Sequence, residues 1–313
     1  MIPVLEAVPN FSEGRDIEKV RSLVDTISGK GVEVLDWSAD PDHHRSVVTY
    51  IGDPASVISA SVAAAEFAIQ EFDIRLHKGL HPRVGALDVL PFVPLHGLRM
   101  HDAIAAAHKA GEAIASLGIP VFFYGEASDP PGRGLAELRQ GGIEALRTGF
   151  HGTRQPDLPV SQVSPHSTAG VTCIGARGVL LAWNVFIAGI SEKQAKEIAS
   201  KIRERDGGFP SVRALGLYLS KRNQVQISMN IEDPIKTAPV TVYGEIAQAV
   251  SRMGGELLEV EVIGMVPDAL VLQGREGTLH PLKLDPRRVL SVCVNEYVRE
   301  QERSEGATGD QSG

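Results

Sequence analysis

Residues 179–202 read VLLAWNVFIAGISEKQAKEIASKI, a strand-like run from Val179 to Ile187 and then a helix that Ser191 and Gln194 announce in capping-box spacing. Ile198 and Ile202 recur at the helical period, so they mark the face that this helix buries. A hairpin-like pair follows, Ala214 to Leu219 and Gln224 to Asn230, turning through Lys221, Arg222 and Asn223. A helix carrying Tyr243, Ile246, Val250 and Met253 then leads into a strand from Leu258 to Val266. Strand, helix, strand, strand, helix, strand is the split βαβ pattern of ferredoxin-like units.

Working outward, the first half repeats the same grammar. It opens with a strand from Val4 to Val8 and a helix on which Ile17, Val20, Val24 and Ile27 recur, ended by Gly29 and Gly31. Strands at Val32 to Leu35 and Ser46 to Ile51 come next. Asp53 and Pro54 then start a second helix as N-cap and first helical residue, with Ile58, Val62, Ala65 and Ile69 along its face. An apolar strand from Ala86 to Val93, a helix with Ile104, Ala107 and Ile114, and a strand from Pro120 to Tyr124 complete it. The expected fold is therefore α/β, an α+β sandwich of two ferredoxin-like subdomains, 1–177 and 178–300, with a ligand groove between them. The polar, Gly/Ser-rich residues 301–313 are expected to form a disordered tail. Between Gly125 and Gly175 the sequence offers only short helical hints and then a Pro/Ser/Thr/Gly stretch, a long loop of the kind that usually carries function.

Composition narrows the classes of function. With 313 residues, 43 % of them apolar, the chain is long enough for two modest cores. A formal charge of −8 opposes binding to nucleic acid, which needs a basic face. The two cysteines, Cys173 and Cys293, each sit in an apolar run and suit a reducing compartment. No leader-like amino terminus and no bilayer-length apolar run is present, so no membrane is expected and the location is read as cytoplasmic.

The densest cluster of chemistry is LHKGLHPRVGALDV, which sets His77, Lys78, His81, Arg83 and Asp88 on a Gly/Pro loop running into a strand. His81 is the candidate for proton transfer, because imidazole titrates near neutrality. A second cluster, DWSADPDHHRSV, places Asp40, Asp42, His43, His44 and Arg45 between two strands. These residues suit orienting a catalytic His, binding substrate amines or ligating a metal; the plainest alternative is a polar turn. VPNFSEGR offers Asn10, Ser12 and Gly14 at a strand-to-helix turn, YGEA offers Glu126 at a strand end, and Arg177 in GARG can pair with a carboxylate.

Taken in order, VPNFSEGR, DPDHHRSV, HPRVGALDV with PFVP, PVFFYGEA, HSTAGVTCIGAR, AWNVFI and QVQISMNIEDP resemble the formiminotransferase domain family over about residues 3–300, without a cyclodeaminase region. The resemblance implies a folate-dependent one-carbon transferase of histidine degradation. Such an enzyme moves a formimino group from N-formimidoyl-L-glutamate to tetrahydrofolate, giving 5-formimidoyltetrahydrofolate and L-glutamate. It implies His81 as catalytic acid/base and the loop Ser164, Pro165, His166, Ser167, Thr168, Ala169 and Gly170 as the folate contact. Asp40, His43, His44, Arg45, Lys78, Arg83, Glu126 and Arg177 are then the substrate-binding candidates. Tetrahydrofolate is the implied co-substrate, no metal is required, and a homodimer is expected. The chain has His44 where the family commonly has Asn, and Ser167 where it commonly has Pro. The competing readings are a metal-dependent hydrolase built on residues 40–44, a formyl-donor variant of the same transferase, and a ligand-binding protein without turnover.

Overall fold

The computed structural model describes residues 1–79, 82–150, 154–159, 163–220, 222–274 and 285–309. The chain divides into two compact units, Met1–Arg177 with Glu296–Gly313, and Gly178–Asn295.

The first unit runs β1 (Leu5–Ala7), β2 (Asn10–Phe11), α1 (Ile17–Ser28), β3 (Glu33–Asp40), β4 (Arg45–Gly52), α2 (Pro54–Glu71), β5 (Leu87–Pro94), α3 (Met100–Ser116), β6 (Val121–Gly125), α4 (Leu135–Leu138), α5 (Gly142–Leu146) and β7 (Thr172–Ala176). β1 and β2 lie antiparallel between β4 and β5, and β3 pairs with the outer side of β4. β5, β7 and β6 then run parallel. The sequence signals for helix starts hold where they are local: Asp53 accepts from the N–H groups of Ala55 and Ser56, with Pro54 opening α2.

The packed face of α2 includes the expected Ala65, and Ile58, Val62 and Ile69 pack against the core, but its other fully covered residues lie beside them. Val57, Ala60, Ser61, Ala64 and Ala68 are buried, whereas Ile58, Val62 and Ile69 are only partly covered. Small side chains let the helix approach the sheet closely, so the larger ones are left flanking the contact. α3 packs in the same way, and a Cβ at Gly111 would stand 2.6 Å from the Phe123 ring. Leu23 and Ile27 of α1 join this core fully buried, each contributing about 1.5–3 kcal/mol of hydrophobic stabilisation.

The second unit contains β8 (Leu181–Ala188), α6 (Glu192–Ile202), β9 (Val212–Leu219), β10 (Gln224–Ile231), α7 (Pro239–Arg252), β11 (Glu256–Ile263), α8 (Asp268–Gly274) and the start of α9 (Leu290–Gly309). Its sheet is antiparallel in the order β11-β8-β10-β9. Ser191 and Gln194 form the expected capping box, and Ile198 and Ile202 are buried. Trp183 stacks on Tyr243 with ring centroids 5.7 Å apart.

Two features depart from the sequence reading. Residues 172–176 form a strand between β5 and β6 that the sequence reading did not single out, and residues 301–309 are helical where composition suggested a disordered tail. Among the described residues no helix is long and apolar enough to cross a membrane.

Candidate functional site

The site is built where β2, β4 and β5 come together at one end of the larger sheet. The backbone turn between β3 and β4 brings His43 and His44 round, with Asp40 Oδ1 accepting from the N–H groups of Asp42 and His43 at 2.7 and 2.8 Å. Asp40 therefore closes the turn. His44 takes a left-handed conformation, φ 51°, which is uncommon for a residue with a side chain. Gly79 presses against this turn so closely that a Cβ there would lie 2.0 Å from the His43 carbonyl oxygen.

Two imidazoles are fixed by this contact. The rings of His44 and His77 stack, with centroids 4.5 Å apart. Nε2 of His77 donates to the His44 carbonyl at 2.8 Å, while its Nδ1 accepts from Gly79 N–H at 3.2 Å. That pattern fits only a neutral ring, and burial followed by the nearby Arg83 charge pushes its pKa down to about 4. His44 accepts from Lys78 N–H at Nδ1 and meets Glu13 Oε1 through Nε2 at 3.1 Å. Burial lowers the His44 pKa, with the Glu13 carboxylate opposing. Burial by itself would raise Glu13, but N–H bonds from Arg15, Asp16 and Gly14, together with His44, hold it below the usual carboxylate range.

Behind the histidines, Asp88 is fully buried. Its Oδ1 accepts from Val84 N–H at 2.7 Å, and its Oδ2 accepts from both Arg45 and Arg139. Arg45 also donates from Nε and Nη2 to Asn10 Oδ1, at 3.1 and 2.8 Å. Burial, then the charge of Arg139, pushes Arg45 down to about 10 despite Asp88. The fork expected to grip a substrate carboxylate is thus occupied by Asp88 and Asn10. Arg83 is engaged differently: its Nη2 meets Glu144 at 3.0 Å, but that carboxylate is 60 % exposed, and Arg83 Nε has no hydrogen-bond partner among the described residues.

The turn 164–170 is strapped to the start of β5. His166 and Gly170 exchange backbone bonds of 2.9 Å, Ala86 N–H donates to Ala169 O at 2.8 Å, and Val171 N–H donates to Val84 O at 3.0 Å. His166 Nδ1 accepts from Ala169 N–H at 3.1 Å. Gly170 is required here, since its φ is +72° and a Cβ would meet Val84 O at 2.2 Å.

Of the residues singled out from sequence, His43, His44, Arg45, Lys78 and Arg83 are gathered together, with Ser164–Gly170 hydrogen-bonded to the strand beside them. Glu126 and Arg177 stand elsewhere. Arg177 N–H donates to Phe92 O and Glu126 N–H to Ala176 O, so both follow strand ends about 13 Å along β5 from Asp88. His81 lies outside the described residues. Glu13 and Arg139 were missed, although Asp88 inside the apolar run ALDVLPF signalled that buried cations must converge on it. Among the described residues no group of three or more His, Cys, Asp or Glu is arranged to hold a metal ion.

These features define an α/β protein with its polar cluster at the end of a mixed sheet. The chain belongs to the formiminotransferase domain family: residues 4–177 match the N-terminal subdomain of the formiminotransferase domain and residues 182–279 match the formiminotransferase domain. It is 38 % identical to the glutamate formimidoyltransferase of Thermoplasma acidophilum, over 86 % of this chain and 90 % of that one. The glutamate formimidoyltransferase of Streptococcus pyogenes is 35 % identical, over 85 % and 90 %. The formimidoyltransferase-cyclodeaminase of Rattus norvegicus is 36 % identical over 85 % of this chain, which spans 51 % of that relative.

Proposed function

We propose that this enzyme transfers the formimino group of N-formimidoyl-L-glutamate to tetrahydrofolate, releasing L-glutamate and 5-formimidoyltetrahydrofolate. The observation that carries the reading is the hydrogen-bonded junction of the 164–170 turn with Val84 to Ala86, which directly follow the His81–Arg83 segment. In this reading the turn that contacts folate and the segment that carries the proton meet at one strand start.

In this reading the folate amine attacks the amidine carbon and gives its proton to His81. The tetrahedral adduct then collapses, and the departing glutamate nitrogen takes a proton back from the same imidazole. Arg83 is the preferred fork for a substrate carboxylate, exchanging an exposed Glu144 for a ligand, with Lys78 the next cation upstream in the sequence. Arg45 acts from behind by holding Asp88 and Asn10 in place. The enzyme is proposed to work in the cytoplasm as a homodimer, which sedimentation of the purified protein tests.

The decisive experiment offers tetrahydrofolate with N-formimidoyl-L-glutamate or N-formyl-L-glutamate and follows the folate product by absorbance. Product from the formimino donor alone supports the reading. Product only from the formyl donor assigns the variant transferase, and product from neither overturns both.

A further inference from the structure

Glu6 lies in β1 between Leu5 and Ala7, whose side chains belong to the core beneath the helices, so strand alternation turns Glu6 to the opposite face. On β4, Tyr50 meets Ser61 of α2 at 2.6 Å, which turns its neighbours Thr49 and Ile51 to that same opposite face. Glu6 pairs with Ile51 on one side and with Val93 of β5 on the other. Both of those are fully buried and stand apart from the helix-side core.

Two polar groups on this face have no hydrogen-bond partner among the described residues. The Glu6 side chain is 4 % exposed and has no hydrogen bond among the described residues; burial pushes its carboxyl up to about 7, with the Arg177 charge only partly opposing. The Thr49 hydroxyl is buried with no hydrogen-bond partner among the described residues. Groups of this kind cost free energy in the empty protein, and an unmade bond to a buried carboxylate calls for a ligand with N–H donors.

With tetrahydrofolate as the acceptor proposed above, on which this step rests, we infer that Glu6 receives the aminopyrimidinone edge of the pterin ring. The two carboxylate oxygens accept from the adjacent 2-amino and ring N–H groups, and Thr49 donates to the neighbouring ring carbonyl. The cationic amidine of the donor fits less well, because the charge that acts on Glu6 is the positive one of Arg177. Glu6 and Asn10 are four residues apart along the strand line, about 13 Å, so a bicyclic ring held at Glu6 extends its reacting edge towards the Asn10, Arg45 and Asp88 end.

The test is equilibrium titration of the whole protein with folate and with its 2-desamino analogue, followed by calorimetry. The parent should bind the analogue at least about tenfold more weakly, the loss expected for a hydrogen bond to a charged group. Glu6→Gln should bind both compounds alike while keeping its Michaelis constant for the donor within about twofold. Thr49→Val should weaken both ligands together and keep the discrimination between them. Equal affinity of the parent for both compounds overturns the assignment even if no variant folds, as does discrimination that survives in Glu6→Gln. A protein that binds neither compound overturns the folate acceptor itself, and with it this site.

Discussion

The imidazole of His77 lies flat on that of His44, their planes 12° apart, and its two nitrogens are spent on the His44 carbonyl and the Gly79 N–H. A proton on Nδ1 would set two N–H groups against each other. Because the folded value, about 4, lies below the ordinary 6.5, the stability that this ring contributes is complete above 6.5 and is lost as pH falls towards 4. Glutamine at position 77 can make both bonds without titrating. The melting temperature of His77→Gln should therefore fall less than that of the parent between about pH 7 and pH 4.5; parallel curves for the two proteins would refute the neutral-ring assignment.

Asp88 is the carboxylate on which two buried guanidinium groups depend. Removing it takes from the buried Arg45 and Arg139 the carboxylate that they share, so Asp88→Ala should lose about 3–5 kcal/mol of stability in urea denaturation. A loss below about 1 kcal/mol would mean that water or a rearranged side chain already serves these cations.

The two arginines that sequence reasoning treated alike should behave differently. Arg83→Lys keeps the charge but loses the planar fork, and its apparent Michaelis constant for one substrate should rise about tenfold with stability nearly unchanged. Arg45→Lys should instead lower the melting temperature, since its guanidinium bridges Asn10 and Asp88 inside the protein. Steady-state kinetics and thermal melts on the two variants check this, and identical profiles would contradict the division of roles.

What could be read from the sequence was whatever is local. Asp53 with Pro54, and Ser191 with Gln194, specify helix starts within four residues, and the order of strands and helices follows from periodicity. β7 escaped because five residues of small and mixed character, TCIGA, carry too little pattern to stand out from the Ser/Thr/Gly run before them. The face of α2 was read only in part: Ala65 is buried and Ile58, Val62 and Ile69 pack against the core, but Ala60, Ala64 and Ala68 are buried too, and small residues carry little periodic signal. In the site, the HPR and DHH segments announced themselves by density. The pairing of Asp88 with Arg139 joins residues 51 positions apart and exists only once α4 has folded onto the sheet. Glu6 stood in the sequence as one acid in an apolar strand, and only the alternation of Leu5, Glu6 and Ala7 between two faces gives it meaning.

The remaining prediction concerns His81, which lies outside the described residues but follows a well-defined anchor. Gly79 is wedged onto the His43 carbonyl, and Val84 N–H is held by Asp88, so both ends of the His81 loop are fixed by contacts that the His81 side chain does not make. His81→Ala should therefore leave the fold intact. If this imidazole takes the proton from the folate amine and returns one to the glutamate nitrogen, its loss should reduce kcat by about 10²- to 10⁴-fold, with smaller changes in the Michaelis constants. Gly79→Ala supplies the contrast, because a methyl group there would displace the His43–His44 turn and lower the melting temperature together with activity. Turnover and circular dichroism measured on both variants separate the two roles. Near-normal turnover in a natively folded His81→Ala protein would remove His81 from the chemistry and direct the search to His44, whose Nε2 faces Glu13 in the same cluster.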